Sequence, residues 1–331
     1  MKISWNPGEL LKVSGHYWIG CTLHAGVKLD IFSMIDEHVK TALDINTMIN
    51  GDIDATTRLL DALVAMGLLK KQKGSYANTS ESLMFLHKAS PKYVGYMIQH
   101  HHHLVESWSK LDQAVKTGKP VRTNASFADE TVRESFLMGM FNNALNLAPY
   151  IAEQVDLTNK HHLLDLGGGP GTYAIHFCMK NPELKATIYD LPTTLPFASK
   201  IIDRFQMAEK VSFVGGNYLQ DQPTGDFDVV WLSHILHGEG PKDCEQLIQK
   251  AVSVLKPGGL ILIHEFILND TLDAPLFPAL FSLNMLIGTQ SGRAYSEKQL
   301  FDMLMKAGLK NIRHIPLETP NDSGIVTGEL L

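Results

Sequence analysis

What this chain lacks narrows it first. It has three cysteines, Cys21, Cys178 and Cys244, an odd number with no close spacing. That argues against a disulfide framework or a CxxC metal clamp and fits a reducing cytosol. It has no surplus of positive charge. Its 29 Lys and Arg stand against 35 Asp and Glu, a net of −6, whereas a nucleic-acid binder normally carries a basic face. It has no apolar run of membrane-spanning length. Its opening, MKISWNPGELL, lacks the unbroken apolar stretch of a signal peptide. Internal repeats and low-complexity linkers are missing too. The expectation is a soluble, cytoplasmic protein without nucleic-acid or membrane partners. At 331 residues and 44% hydrophobic, it has material for a sizeable core and for two domains.

Two textures divide the chain near residue 155. Residues 8–155 read as mostly helical. In ATTRLLDALVAMGLLKK (55–71), Leu59, Leu60, Leu63, Val64 and Met66 recur at helical spacing. Gly67 offers a stop, LLKKQ a short strand and KGSY (73–76) a turn. Helix, strand, turn, strand is the outline of a winged helix. Its candidate recognition helix carries only Arg58 and Asp61 as charges, with Lys70, Lys71 and Lys73 in the wing. An oligomerisation domain is therefore preferred over a DNA-binding one.

From residue 160 strands and helices alternate. HHLLDL (161–166), KATIYDL (185–191), KVSFVGG (210–216), FDVVWLSH (227–234) and LILIHEFIL (260–268) read as strands, and 171–180, 194–206 and 241–255 as helices. Such alternation specifies a mostly parallel sheet covered on both faces. Ser296 is placed to cap one more helix ending at Gly308. NIRHIPL and GIVTGEL follow as two strands.

LLDLGGGPGTY (163–173) leaves a strand and opens a helix. Gly167, Gly169 and Gly171 let the backbone turn tightly and a ligand approach it. Asp190 ends the next strand, 19 residues beyond Gly171. A carboxylate there can accept both hydroxyls of a ribose; the alternative is that it caps the helix at 194–206. A dinucleotide fits poorly. Pro170 removes an amide from the loop, and Asp165 just before the glycines suits an ammonium better than a pyrophosphate. S-adenosylmethionine (SAM), an adenosine with an amino-acid tail and no phosphate, meets both conditions.

LLDLGGGPG (163–171), YDLP (189–192), FVGGNYL (213–219), FDVVWLSHILHGEGPKDC (227–244) and LKPGG (255–259) resemble, in order and spacing, the motifs of the dimeric SAM-dependent O-methyltransferases of small molecules. The resemblance covers nearly the whole chain. It implies an α/β fold: a Rossmann-like class I methyltransferase domain over 156–331, after a helical winged-helix dimerisation domain over 1–155 that contributes to the acceptor pocket. It implies SAM as cofactor, S-adenosylhomocysteine as product, a small-molecule acceptor and a homodimer formed through the N-terminal domain. By the same resemblance Gly167 and Gly169 line the methionine moiety with Asp165 nearby. Asp190 takes the ribose hydroxyls, with Leu191 beside it in the cofactor site, and Asn217 and Tyr218 meet the adenine. Asn217 replaces the family's usual Asp but keeps a carbonyl acceptor. Ser233 stands at a cofactor position where the family often has Lys.

The resemblance also makes His237 the general base and Glu265 the acid that orients it. Holding an acceptor in line with a methyl group can supply about 7–11 kcal/mol of the barrier. Proton removal by a positioned imidazole adds about 10²–10⁴ in rate, and a carboxylate fixes its tautomer. His234, three residues earlier, is the competitor and reads as a strand residue packed under the site. Gly238 replaces the Asp that commonly follows the base, and Ala294 replaces a second acid of plant members. These departures keep S- or C-methylation of a small carboxylic acid open. A SAM-binding winged-helix regulator without turnover is the alternative of another class. His234, His237, His264, Glu239 and Glu265 crowd the site in sequence, but no pair has a zinc spacing and no metal is expected. The run His100–His103 puts His100 and His103 on one helical face. His103, Met140, Asn143, Phe281, Asn284 and Met285 are the expected acceptor residues.

Overall fold

The computed structural model describes residues 5–123 and 130–331. By packing, the chain divides into two compact units, Met1–Val105 and Glu106–Leu331.

The first unit contains α1 (Pro7–Gly15), α2 (Tyr17–Lys28), α3 (Ile31–Ile35), β1 (Lys40–Thr41), α4 (Ala42–Ile49), α5 (Ile53–Ala65), β2 (Leu69–Gln72), β3 (Ser75–Asn78), α6 (Ser80–Phe85) and most of α7 (Gly95–Trp108). Asp52 caps α5 by accepting from the Ala55 amide at 2.9 Å. Thr56, Leu60 and Leu63 form its buried face, the spacing of one helical stripe. Gly67, at φ 76°, ends it in the left-handed conformation that glycine tolerates. The strands pair antiparallel in the order β1-β3-β2, so the wing is present. Two-residue β1 is too short for any periodicity to announce it. Asp61 on α5 accepts from Lys71 Nζ (2.6 Å) and Tyr76 Oη (2.7 Å), and Arg58 pairs with Asp54. Arg58 and Asp61 therefore both have partners within the unit. Helix α1 buries no residue, and Leu11, Tyr17, Trp18 and Ile19 are mostly exposed.

The second unit contains α8 (Leu111–Thr117), α9 (Glu130–Gln154), β4 (His162–Leu166), α10 (Thr172–Lys180), β5 (Lys185–Asp190), α11 (Leu195–Arg204), β6 (Val211–Gly215) and β7 (Phe227–Ser233). It continues with α12 (Pro241–Val252), β8 (Leu255–Leu268), α13 (Leu276–Gly288), β9 (Tyr295–Ser296), α14 (Glu297–Lys306), β10 (Lys310–Pro316) and β11 (Ser323–Glu329). The sheet order is β10-β11-β8-β7-β4-β5-β6, with β9 beside β8. Strands β8 to β6 run parallel, and β11 and β10 antiparallel. Val229, Val230, Trp231 and Leu232 are successive and all fully buried, as a parallel strand covered on both faces requires. The chain goes from β4 outward to β5 and β6, then returns to β7 on the other side. This Rossmann-like reversal opens a crevice at the C-terminal ends of β4 and β7, where such sheets bind ligands.

Ser296 caps α14 in a full capping box with Gln299. Two details differ from expectation. Strand β8 begins at Leu255, because Leu255 pairs with Phe227 across a register shift, so LKPGG belongs to the strand. His234 is not in β7. Its amide still donates to His264 O at 2.9 Å, the last bond of the β7–β8 ladder, and its φ of 56° turns the chain out of the sheet.

Candidate active site

The site grows from the C-terminal ends of four neighbouring strands. Strand β4 runs into Gly167, at φ 72°, whose amide donates to Tyr189 O at 2.8 Å. A Cβ there would lie 2.7 Å from Ile235 Cγ2, and one at Gly171 (φ 77°) would lie 2.2 Å from Ile188 Cδ1. Both positions need glycine for conformation and for space. The loop folds down over Asp165: a Cβ on Gly168 would meet its carboxyl carbon at 2.5 Å.

Asp165 is buried, and neither carboxylate oxygen has a hydrogen-bond partner among the described residues. Burial first, then the neighbouring charge of Asp190, pushes it up to about 7. Asp190 is differently placed. Its Oδ2 accepts from the Gly169 amide (2.8 Å), and its Oδ1 accepts from the Leu191 amide (2.7 Å) and Thr194 Oγ1 (2.9 Å). Burial raises its pKa against the pull of these bonds. Asp190 thus braces the glycine loop and ties down the turn into α11. A buried carboxylate with no partner is costly unless it holds a proton or meets a cation, so the Asp165 cradle suits an ammonium.

Asn217 uses its carbonyl to accept from the Leu219 amide at 3.0 Å, and its own amide donates to Asp221 Oδ2. Tyr218 Oη lies 3.4 Å from Glu239 Oε1, and its ring edge faces Gly167. Lys250, absent from the sequence reading, donates to three carbonyls of this turn, those of Tyr218, Leu219 and Asp221. Ser233 faces elsewhere: its hydroxyl bonds His264 Nδ1 at 3.0 Å, and His264 Nε2 bonds Ser323 at 3.0 Å. With both ring nitrogens bonded and its ring stacked on Trp231, His264 is a satisfied core residue. Burial holds its pKa well below the usual histidine range.

His237 sits on a 3₁₀ turn, Leu236–Gly238, anchored by buried Leu236. One carboxylate grips it twice. Glu265 Oε2 is 2.8 Å from His237 Nδ1, and Oε1 accepts from the His237 amide at 3.2 Å. Burial would raise Glu265, but the charge of His237, its hydrogen bond and the nearby imidazole of His234 outweigh it and hold the carboxyl well below its usual range. An ionised Glu265 accepts a hydrogen bond from Nδ1–H and leaves the lone pair on Nε2. His234 Nδ1 is farther from the same oxygen, 3.7 Å. Its ring stacks on Phe266 at 4.2 Å, and burial lowers its pKa. His234, His237 and Glu265 each offer a ligand atom, all within 4.8 Å of one another.

Aromatic rings wall this pair. Phe281 on α13 meets His237 edge-on at 4.7 Å, and Phe266 packs on Phe281 at 4.6 Å. A Cβ on Gly238 would meet nothing within 4 Å, so that position faces open space. Ala294 is buried. Along α13, Asn284 is half-buried and Met285 buried. Met140 is half-buried and Asn143 exposed on α9. His103 lies on α7 in the first unit, its ring 5.8 Å from that of His102. Arg122, which the sequence did not mark, donates to Asn284 Oδ1 at 3.4 Å.

Comparison with known proteins places this arrangement. The profile of the O-methyltransferase domain matches residues 108–310, and that of the O-methyltransferase dimerisation domain matches residues 11–88. The chain belongs to the O-methyltransferase family. It is a transferase, and its cofactor is S-adenosylmethionine. It is 30% identical to the tetracenomycin polyketide synthesis 8-O-methyltransferase of Streptomyces glaucescens over 96% of each chain. It is 28% identical to the 3-hydroxy-5-methyl-1-naphthoate 3-O-methyltransferase of Streptomyces sahachiroi, over 97% of this chain and 95% of that one. A solved O-methyltransferase family protein from Burkholderia thailandensis superposes with a TM-score of 0.88 at 26% identity, over 99% of this chain and 98% of that one. Among the described residues no helix is long and apolar enough to cross a membrane.

Proposed function

We propose that the protein methylates a hydroxyl of a small molecule, with His237 as general base and Glu265 as the group that positions it. The double grip of Glu265 on His237 carries the reading. It fixes the imidazole's place and its tautomer before an acceptor arrives. Bound SAM supplies an electrophilic methyl group on a sulfonium centre. When the acceptor oxygen bonds to that methyl and the methyl–sulfur bond breaks to leave S-adenosylhomocysteine, His237 Nε2 would take the hydroxyl proton and ionised Glu265 would stabilise the imidazolium that results. The rings of Phe266, Phe277 and Phe281 suit a flat acceptor between them and the methyl group.

For the cofactor, Asp165 and the loop at Gly167 and Gly169 receive the amino-acid tail. Asp190 and Leu191 take the ribose, and Asn217 and Tyr218 the adenine. Asn217 then offers adenine its side-chain NH₂ or a shared carbonyl, because that carbonyl already serves the turn. Cofactor binding is assigned to residues 156–331 and dimer formation to the helical part within 1–155. The exposed apolar residues of α1 and α2 support a homodimer, and three unpaired cysteines fit the cytoplasm.

The test is a pair of variants. His237→Ala lowers kcat by about 10²–10⁴ while SAM affinity, read by calorimetry, stays within a few fold. If His234→Ala is inactive and His237→Ala is not, the base is misassigned. The ligand atoms of His234, His237 and Glu265 favour one second reading, a cation that helps C-methylation of a small carboxylic acid. A chelator separates the two: full activity after treatment with EDTA is expected, and loss restored by a divalent metal selects the second.

A further inference from the structure

Arg122 lies in the connection between α8 and α9, and its backbone is tied to the end of α13. The amides of Val121 and Arg122 both donate to Ile287 O, at 3.0 and 3.2 Å. The side chain lies against α13 where Gly288 leaves room: a Cβ there would fall 2.5 Å from Nη2 and 2.6 Å from Cζ. Nη2 reaches Asn284 Oδ1 at 3.4 Å, the long end of a hydrogen bond. Nε is buried with no hydrogen-bond partner among the described residues. Burial lowers the guanidinium's pKa, and among the described residues no acid pairs with it.

A guanidinium keeps its charge in a protein. Among the described residues Arg122 is therefore a half-buried cation whose side-chain partner is a neutral amide. Leaving a cation in that state costs stability unless another group supplies the counter-charge. Its position says where that group belongs. Asn284 is three residues from Phe281, one helical turn or about 5–6 Å along the same face, and Phe281 touches His237. The cation and the imidazole thus lie against one stretch of α13, the imidazole at Phe281 and the cation at Asn284 and Gly288.

We propose that the methyl acceptor carries a carboxylate, which pairs with Arg122 while its hydroxyl meets His237. The planar guanidinium offers two parallel N–H groups to a carboxylate, and the Asn284 NH₂, oriented by the bond from Arg122, can add a third donor. One guanidinium matches a monoanion, whereas a phosphate monoester carries nearly two charges. The inference rests on the methyl-transfer reading, so its test reads binding instead of turnover.

The enzyme, saturated with S-adenosylhomocysteine, is titrated calorimetrically with hydroxybenzoates and hydroxynaphthoates, each beside its methyl ester. At least one acid is expected to bind tenfold or more tightly than its ester. Arg122→Met brings the two to near parity, and Arg122→Lys retains part of the preference. Arg122→Gln serves as a second neutral variant that keeps a donor towards Asn284, and unchanged S-adenosylhomocysteine affinity shows that each variant is folded. Esters binding as well as acids, an acid preference that survives both neutral variants, or no binding by any acid each overturn the proposal. Failure of S-adenosylhomocysteine to bind counts against the methyl-transfer reading alone. The acid–ester comparison is then made on the free enzyme.

Discussion

A carboxyl group sealed under a glycine loop with no hydrogen-bond partner can avoid a bare charge in two ways: it keeps its proton, or it meets a cation. Asp165 is in that position, pushed up to about 7, against an unfolded value of about 3.9. The folded free protein therefore holds this proton more tightly than the unfolded chain. The stabilisation is complete below about pH 4 and is lost as pH rises through about 7. Asp165→Asn removes that loss. The free variant should melt above wild type at pH 8 yet bind SAM at least tenfold more weakly. SAM binding to wild type near pH 7 should release a proton, visible by calorimetry in two buffers of unlike ionisation enthalpy. His264 has the opposite sign. Burial holds its folded pKa well below the usual value, so its contribution is complete above about pH 6.5 and falls away as pH drops below it. In Asp165→Asn, melting scans should show this histidine slope without the opposing one.

At the level of elements, the glycine loop works by fit between neighbouring strands. Gly171→Ala would force a left-handed alanine and bring Cβ within 2.2 Å of Ile188 Cδ1. About 1–3 kcal/mol of destabilisation is expected in urea unfolding. Adding Ile188→Val, which deletes Cδ1, should recover the steric part and leave the conformational part. The order of these elements was legible because each strand ends in its own motif and periodicity separates helix from strand. What was not legible depends on distant partners. Strand β8 starts early because Leu255 finds Phe227. Strand β7 stops at Ser233 because His234 turns to a φ of 56° after its amide closes the ladder on His264 O. Within the site, the pairing of His237 with Glu265 was foreseen. The orientation of Ser233 towards His264 was not, since nothing near residue 233 announces a partner 31 positions on. Arg122 looks ordinary in GKPVRT, and its meaning comes from Asn284, 162 residues away.

Over the whole molecule, two surfaces stand out, and they lie in different units. The first is the exposed apolar face of α1 and α2. Leu11→Arg with Trp18→Asp should move the protein from dimer to monomer in sedimentation velocity without abolishing SAM binding; an unchanged dimer would place the interface elsewhere. The second is the C-terminal edge of the sheet, where β4, β5, β7 and β8 deliver the acids and the imidazole. There the floor and the wall of the site come from separate stretches of chain. Glu265 on β8 holds His237 from below, and Phe281, Asn284 and Arg122 stand on α13 and the segment leading into α9. On the proposed assignment, substitutions in the wall would change which molecules are accepted without disturbing the pair His237 and Glu265. A scaffold divided in this way is free to diversify its substrates by drift in one short helix while its chemistry stays fixed.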